Sequence, residues 1–206
     1  MTKIKNIIFD LGGVILDINR AGAVKKFKEI GLHNIEELID PYRQKGIFLK
    51  IEEGSISRED FYAEIRKLIG RPVKNEDIDQ GWLDFLLPVK QEKLDFISEL
   101  RREYKVFLLS NTNAIIMEWA QSNTFSPAGK PLNYYFDEMY LSYKLGCMKP
   151  DIEIFHKTIK LSGVNPSETL FIDDSRANTD AGNLAGFQTF WFKEGSQFQE
   201  IKNRLL

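Results

Sequence analysis

NIIFDLGG, residues 6–13, is a short apolar run that ends in an acid, Asp10, and two glycines, Gly12 and Gly13. A run of this length that stops at turn residues is typical of a strand buried inside a parallel sheet. Ligands bind beyond the carboxyl ends of such strands, which is where Asp10 would lie. The glycines allow a tight turn and let backbone N–H groups point at an anion. The stretch therefore predicts a buried strand with a functional end, although an ordinary strand that closes on a polar residue has the same pattern.

Other short apolar runs predict the remaining strands of the sheet. Three runs are clearly apolar and lie at 105–109, 169–172 and 189–192. A fourth, at 139–142, is more polar and fits either a strand or a loop. The segments between the runs have apolar residues at helical spacing, on faces formed by Leu94, Ile97 and Leu100 and by Ile152, Phe155 and Ile159. Alternating strands and helices predict an α/β fold with a Rossmann-like, doubly wound parallel sheet.

Residues 17–88 interrupt this alternation, because they contain several amphipathic helical patterns and no convincing strand. Ser57 and Asp60 have the spacing of a capping box, with aspartate in place of the usual glutamate, and they begin one of these helices. The apolar face of that helix would be formed by Phe61, Ile65 and Leu68. We predict that residues 17–88 form an all-helical cap inserted into a core made of residues 1–16 and 89–206. An insertion directly after the first strand would cover the ligand-binding end of the sheet as a lid.

The composition favours a small solute as the partner of this chain. Lys and Arg number 28 against 30 Asp and Glu, which gives a formal net charge of −2. This balance argues against the strongly basic surface of a protein that binds nucleic acid or anionic membranes. The apolar run before Asp10 is too short for a signal peptide or a membrane span, and the single cysteine, Cys147, excludes an intrachain disulfide. We therefore expect a cytoplasmic protein that contacts neither nucleic acid nor membrane.

Two further groups stand at ends of predicted elements. The run at 105–109 is followed by Ser110-Asn111-Thr112-Asn113, and a hydroxyl with free backbone amides at such a point forms a cradle for phosphate. Lys149 precedes Pro150-Asp151 at a predicted helix start, where an inward side chain would place a fixed positive charge near an anion. Ordinary helix caps and a solvated lysine explain the same residues when each group is taken singly.

Asp173 and Asp174 follow the run at 169–172. Two adjacent acids after a buried strand repel each other unless positive charge offsets them. Hard oxygen ligands of this type suit Mg²⁺, which binds one or two carboxylates and retains water. A helix cap would explain one of the acids but not easily both, so the pair points to a metal site.

Taken in chain order, Asp10, Ser110, Lys149 and the pair Asp173-Asp174 resemble the four motifs of the haloacid dehalogenase superfamily. The resemblance covers nearly the whole chain, and residues 17–88 take the position of the helical cap that follows the first strand in that superfamily. The sequences around the first three motifs are similar to a subgroup of sugar-phosphate phosphatases that includes α-glucose-1-phosphate phosphatases.

This resemblance implies a Mg²⁺-dependent phosphohydrolase that acts on a small phosphorylated metabolite, with a sugar 1-phosphate as one possibility. Asp10 would attack phosphorus and form an aspartyl-phosphate, which water then hydrolyses. Mg²⁺ would be bound by Asp10, the backbone carbonyl of Gly12 and Asp174. Asp173 would lie in the coordination sphere of the metal or just outside it.

The resemblance also assigns the groups that bind the substrate. Ser110 and the backbone amide of Asn111 would bind phosphoryl oxygens, while Lys149 would offset the negative charge of the phosphate and of Asp10. The cap residues that select the substrate are not identified by sequence alone. Four basic candidates, which fit solvated surface positions as well, are Arg20, Arg43, Lys45 and Lys50.

Gly12 is a departure from the family, whose phosphatases usually carry a second aspartate at this position as general acid and base. Such acid-base help is typically worth ~100- to 10,000-fold in rate. Its absence would be tolerated if the leaving group is a good one, such as an anomeric hydroxyl, or if water or a cap residue supplies the proton. It also leaves two alternatives open: a 2-haloacid dehalogenase, which lacks this aspartate and needs no metal, and a phosphoryl-binding module without turnover.

Overall fold

The computed structural model describes residues 3–40 and 42–205. In this part of the chain five strands form one sheet: β1 (Asn6–Phe9), β2 (Lys105–Ser110), β3 (Glu138–Leu141), β4 (Thr169–Asp173) and β5 (Gln188–Trp191). The same residues contain ten α-helices: α1 (Arg20–Glu29), α2 (Gly46–Glu53), α3 (Arg58–Ile69), α4 (Asn75–Leu83), α5 (Gln91–Leu100), α6 (Ala114–Ala120), α7 (Ser142–Leu145), α8 (Ile152–Ser162), α9 (Arg176–Leu184) and α10 (Phe198–Leu205).

The five strands are parallel and lie in the order β3-β2-β1-β4-β5. The chain leaves β1 toward β2 and β3, and it later returns to the other side of β1 to add β4 and β5. In α/β sheets, ligands bind in the crevice that opens where the strand order reverses in this way. The predicted doubly wound sheet is confirmed, with every predicted run within one residue of its strand at both ends. The ambiguous run at 139–142 corresponds to strand β3.

Helices cover both faces of the sheet. Alternate residues of β1 therefore point into two different hydrophobic clusters. Ile7 and Phe9 lie in one cluster and Ile8 lies in the other. The predicted apolar face of α5 packs into the first cluster through its buried residues, Leu94, Ile97 and Leu100. Burial on both faces is the reason why β1 is a continuous apolar run rather than an alternating one.

The predicted face of α8 is wrong at one end. Ile154, Phe155 and Thr158 are the buried residues of this helix, whereas Ile152 is 37% exposed. The face that contacts the sheet is centred near Phe155, and Ile152 lies at the start of the helix, directly after the N-cap residue Asp151. Two overlapping stripes of α8 are apolar, and only the position of the sheet decides which of them is covered.

Helices α1 to α4 lie between β1 and α5 in the sequence, and they share a hydrophobic cluster of their own. At its centre the Phe48 ring meets those of Phe27 and Phe61 edge-to-face, with centroids 5.1 and 5.2 Å apart, an arrangement that aromatic rings prefer. Ile115 and Ile116 of α6 join this cluster. We call α1 to α4 the helical insertion. It therefore packs onto the core beside the end of β2.

The predicted capping box is present at the start of α3. Ser57 Oγ accepts the Asp60 N–H, and the Asp60 carboxylate accepts the Ser57 N–H. Phe61 is buried as predicted, but Leu68 is 49% exposed and Tyr62 is buried instead. The buried face of α3 is thus centred between Phe61 and Tyr62, so that Leu68 in the last turn falls outside it.

Within the described residues, no helix is long and apolar enough to cross a membrane. Cys147 is buried and unpaired, and burial raises the pKa of its thiol, which makes it a poor nucleophile. The predicted limits of the cap at residues 17 and 88 remain predictions, as does the cytoplasmic location.

Candidate active site

The carboxyl ends of β1, β2 and β4 bring the predicted acids and the predicted hydroxyl together. Asp10 follows β1 directly, Ser110 ends β2 and Asp173 ends β4. Because β1 pairs with β4, the Asp10 backbone N–H donates to the Ile172 carbonyl oxygen at 2.9 Å. One carboxylate oxygen from each of Asp10, Asp173 and Asp174 lies within 4.8 Å of the others. The strand ends that were predicted to meet therefore do so.

Lys149 lies between the acids, with only 3% of its surface exposed. Its ammonium nitrogen is 2.8 Å from Asp10 Oδ1, 2.6 Å from Asp173 Oδ2 and 2.8 Å from the Leu109 carbonyl oxygen. An ammonium group has three N–H donors, and these three contacts use all of them. Lys149 therefore ties the acid after β1 to the acid at the end of β4 and fixes the orientation of both.

Asn111 joins the loop after β2 to the segment that carries Lys149. Its side-chain amide donates to the Lys149 carbonyl oxygen at 2.9 Å, and its side-chain oxygen accepts the Lys149 N–H at 2.9 Å. Ser110, one residue earlier, is buried and lines the same cavity as Asp10, Asn111 and Lys149. Ser110, Asn111 and Lys149 thus share one site with Asp10, the nucleophile candidate.

Asp173 and Asp174 differ in their surroundings. Both oxygens of Asp173 are engaged, Oδ2 by Lys149 and Oδ1 by the Ser175 N–H at 2.8 Å and the Asn178 side-chain amide at 2.9 Å. Asp174 is less buried and lines the cavity at this end of the sheet. Asp174 is consequently the more accessible of the two acids, while Asp173 holds Lys149 in position.

Burial and crowding raise the pKa values of two of the acids. Burial raises the pKa of Asp10 to about 8, with Lys149 opposing this effect and the charges of Asp173 and Asp174 adding to it. Burial also raises the pKa of Asp174 to about 6, and the charge of Asp173 adds to the effect. Three carboxyl groups face one lysine, so the site has more negative than positive charge in poorly solvated surroundings. A divalent cation that prefers carboxylate oxygens would offset this excess, and the donor set therefore fits Mg²⁺.

A cavity of about 70 Å³ opens in front of these groups, between the sheet and the helical insertion. Gly12 lines it from the loop after β1, and Glu52 lines it from α2. The sequence patterns did not indicate Glu52, although one signal was present. Glu52 lies four residues after Phe48 and directly after Ile51, which puts an acid on the apolar face of its helix. Acids are rarely buried without a partner, so this position calls for an explanation.

The basic residues considered for substrate binding lie outside this small cavity, although Arg20 lines a larger cavity that adjoins it. The Arg20 guanidinium donates to two backbone carbonyl oxygens of the helical insertion, at 3.0 and 2.8 Å. The other three are exposed: Arg43, Lys45 and Lys50. Among the described residues that line the cavity, Lys149 is the only lysine or arginine.

Comparisons with known proteins agree with this arrangement. The family model of haloacid dehalogenase-like hydrolases matches residues 4–186. A D-ribitol-5-phosphate phosphatase from Bacteroides thetaiotaomicron is 48% identical over 197 residues, which is 96% of this chain and 96% of the relative. The likeness thus extends over the helical insertion as well as the sheet.

Two solved structures share the fold over nearly its full length. A predicted HAD-like family hydrolase from Porphyromonas gingivalis has a TM-score of 0.93 at 41% identity and covers 99% of this chain and 98% of its own. A HAD family enzyme from Bacteroides thetaiotaomicron, solved as the wild-type protein in complex with magnesium and inorganic phosphate, has a TM-score of 0.89 at 38% identity and covers 96% and 98%. The chain therefore belongs to the haloacid dehalogenase-like hydrolase family.

Proposed function

We propose that this protein is a Mg²⁺-dependent phosphatase that hydrolyses a small phosphorylated polyol or sugar through an aspartyl-phosphate on Asp10. The observation that carries the proposal is the cluster of Asp10, Asp174 and Lys149 around one small cavity at the end of β1. The phosphatase relative and the neighbour solved with magnesium and phosphate support it, because both resemble this chain over nearly their full length.

Asp10, Asp174 and the carbonyl oxygen of Gly12 are the groups that would hold Mg²⁺. Asp173 acts mainly through Lys149, because its two oxygens already accept three hydrogen bonds. When bound, the cation supplies positive charge that polarises the phosphoryl group and offsets the excess of carboxylates.

Asp10 is the nucleophile in this proposal. Its Oδ1 accepts the Leu11 N–H at 2.7 Å and lies 2.8 Å from the Lys149 nitrogen, so we assign Oδ2 as the attacking oxygen. A bond forms between Oδ2 and phosphorus while the bond from phosphorus to the leaving oxygen breaks, and water then hydrolyses the aspartyl-phosphate. Ser110 and the Asn111 backbone N–H bind the phosphoryl oxygens, and loss of one such contact commonly lowers the rate by ~100-fold or more.

A small polyol phosphate fits the space around this site. A larger cavity of about 900 Å³ adjoins the small one, since Ile18, Tyr42 and Asp174 line both. The small cavity would take the phosphoryl group, and the larger one has room for the rest of the substrate. The relative named D-ribitol-5-phosphate phosphatase favours an acyclic polyol phosphate over other candidates.

A sugar 1-phosphate is the second candidate, and Gly12 is the observation that favours it. With no acid at this position, a leaving group that departs without a proton is easier to expel. A Cβ atom at Gly12 would lie 3.1 Å from Ile18 Cδ1, so the space beside this residue is already occupied.

A substrate screen with the purified protein tests the proposal. We expect phosphate release from D-ribitol 5-phosphate in Mg²⁺, and a rate lower by on the order of 100-fold or more after EDTA treatment, since the metal contributes several kcal/mol of charge stabilisation. A higher kcat/KM for glucose 1-phosphate would favour the second candidate. Dehalogenation of 2-chloropropionate in EDTA without phosphate release would contradict the proposal, and so would phosphate binding without turnover of any ester.

Gly13 lies against Asp174, which makes its position a test of the metal site. The residue has a φ of +72°, and a Cβ atom added there would lie 2.0 Å from Asp174 Oδ2. Gly13→Ala must therefore displace this carboxylate. We expect the affinity for Mg²⁺, measured by isothermal titration calorimetry, to fall by roughly 10- to 100-fold.

Gly163→Ala is the matched control for this variant. Gly163 has a similar backbone, with a φ of +67°, but no atom lies within 4 Å of an added Cβ. The control therefore introduces the strain of a left-handed alanine, roughly 1–2 kcal/mol, without touching the site. Its Mg²⁺ affinity should match that of the wild type. An unchanged affinity in Gly13→Ala as well would remove Asp174 from the proposed ligand set.

A further inference from the structure

Glu52 is a buried acid without a partner. Its residue is 5% exposed, and within residues 3–40 and 42–205 no donor or cation contacts its carboxyl group. An ionised carboxylate in such a place is strongly disfavoured, so the neutral form is stabilised instead. Burial, together with the nearby charge of Asp10, raises the pKa of Glu52 to about 8. The protonated form of Glu52 is therefore favoured near neutral pH.

The core holds the end of α2 in a fixed position relative to the nucleophile. The Ser142 hydroxyl donates to the Glu52 carbonyl oxygen at 2.7 Å and accepts the Thr112 N–H at 2.9 Å. Two residues after Glu52, a Cβ atom at Gly54 would lie 2.0 Å from the Tyr143 carbonyl oxygen, so the two backbones are in close contact. Glu52 thus belongs to the helical insertion, but its backbone is bound to Ser142, directly after β3, and Ser142 in turn binds the loop that follows β2.

The loop after β1 does not supply the acid that hydrolysis of an alkyl phosphate needs. Gly12 offers no side chain, and the three acids after β1 and β4 are committed to Lys149 or to the metal. A polyol phosphate has an alkoxide leaving group, which requires a proton as its bond to phosphorus breaks. Among the described residues that line the cavity, Glu52 is the one remaining carboxyl group.

We infer that Glu52 is the general acid and base of this enzyme, supplied by the helical insertion in place of an aspartate at position 12. The inference rests on the proposed phosphatase function. In the first step Asp10 Oδ2 bonds to phosphorus, the bond from phosphorus to the alkyl oxygen breaks, and that oxygen takes the proton of Glu52. In the second step Glu52, now a carboxylate, takes a proton from water as the water oxygen bonds to phosphorus. The bond from phosphorus to Asp10 Oδ2 breaks, inorganic phosphate leaves with the Asp10 carboxylate restored, and Glu52 is protonated again.

A series of simple phosphate esters tests this inference, because their leaving groups differ in how much they need a proton. We use 4-nitrophenyl phosphate, phenyl phosphate and butyl phosphate, none of which has further hydroxyl groups to bind. For Glu52→Gln we expect kcat/KM to fall by about 100-fold or more with butyl phosphate and by only a few-fold with 4-nitrophenyl phosphate. Glu52→Asp, which keeps an acid on a shorter side chain, should recover part of the loss with butyl phosphate.

Glu53→Gln is the matched control, since it makes the same change one residue further along α2 and Glu53 does not line the cavity. It should leave the whole series unchanged. Equal losses of Glu52→Gln on all three esters would overturn the inference, and so would a loss of Mg²⁺ affinity, which would make Glu52 a metal-binding group. If the wild type hydrolyses none of the esters in Mg²⁺, the proposed function itself fails, whatever the variants do.

Discussion

Replacing Asp10 by asparagine is expected to lower kcat by on the order of 10⁴-fold or more, because the variant has no carboxylate to form the covalent intermediate. The fold should be retained. Asp10 Oδ1 accepts the Leu11 N–H and contacts Lys149, and the side-chain oxygen of asparagine can make both contacts. Phosphate release in Mg²⁺, together with circular dichroism of the same samples, measures the two effects separately.

Trapping of the intermediate gives a second readout for the same variant. Acid quenching during turnover of a labelled phosphate ester should leave label on the wild type and none on Asp10→Asn. Asp151→Asn is a suitable control, because Asp151 caps α8 through the Glu153 N–H and asparagine caps helices equally well. Turnover that survives in Asp10→Asn would exclude Asp10 as the nucleophile.

The parts of this molecule that follow from the sequence are those set by local patterns. β1 and β4 are covered on both faces, so each appears as an uninterrupted apolar run whose end is visible in the sequence. Asp10, Ser110 and Asp173 stand directly at the ends of β1, β2 and β4, and the carboxyl ends of parallel strands meet at one edge of the sheet. The fold class and the meeting of the four motifs are therefore predictable before any coordinates are known.

The parts that do not follow from the sequence depend on contacts between distant segments. Glu52 lies in the cavity because Ser142, 90 residues away, binds the end of its helix. Ile152 and Leu68 belong to apolar stripes that look suitable, but the neighbouring elements cover a different side of each helix. The different surroundings of Asp173 and Asp174 likewise depend on Asn178, whose side chain binds Asp173 and which no strand pattern indicates. Periodicity identifies an apolar face, but only packing decides how much of it is buried.

Replacing Lys149 by methionine is the second large effect that we expect. Methionine keeps an unbranched side chain but removes the buried charge between Asp10 and Asp173. Removal of one partner from a buried ion pair typically costs about 3–5 kcal/mol, because the remaining charge has no compensation. We expect a loss of this size in the free energy of unfolding by urea in EDTA near pH 9, where Asp10 of the wild type is ionised. The value of kcat/KM in Mg²⁺ should fall by about 100-fold or more.

The pH dependence of this loss separates lost charge from lost packing. Burial raises the pKa of Asp10 to about 8 even though Lys149 opposes the shift, so removal of the lysine raises it further. The pKa of an aspartate in the unfolded chain is about 3.9. When its pKa in the folded protein is higher, folding becomes less favourable as the pH rises from the unfolded to the folded pKa. The deficit of Lys149→Met relative to the wild type should therefore be smaller near pH 5, where Asp10 is protonated in both folded proteins, than near pH 9, above the wild-type pKa of about 8. Lys160→Met, which changes an exposed lysine of α8, should show no such dependence. Equal deficits at both pH values would mean that Lys149 stabilises the fold by packing, and the electrostatic account of the site would be wrong.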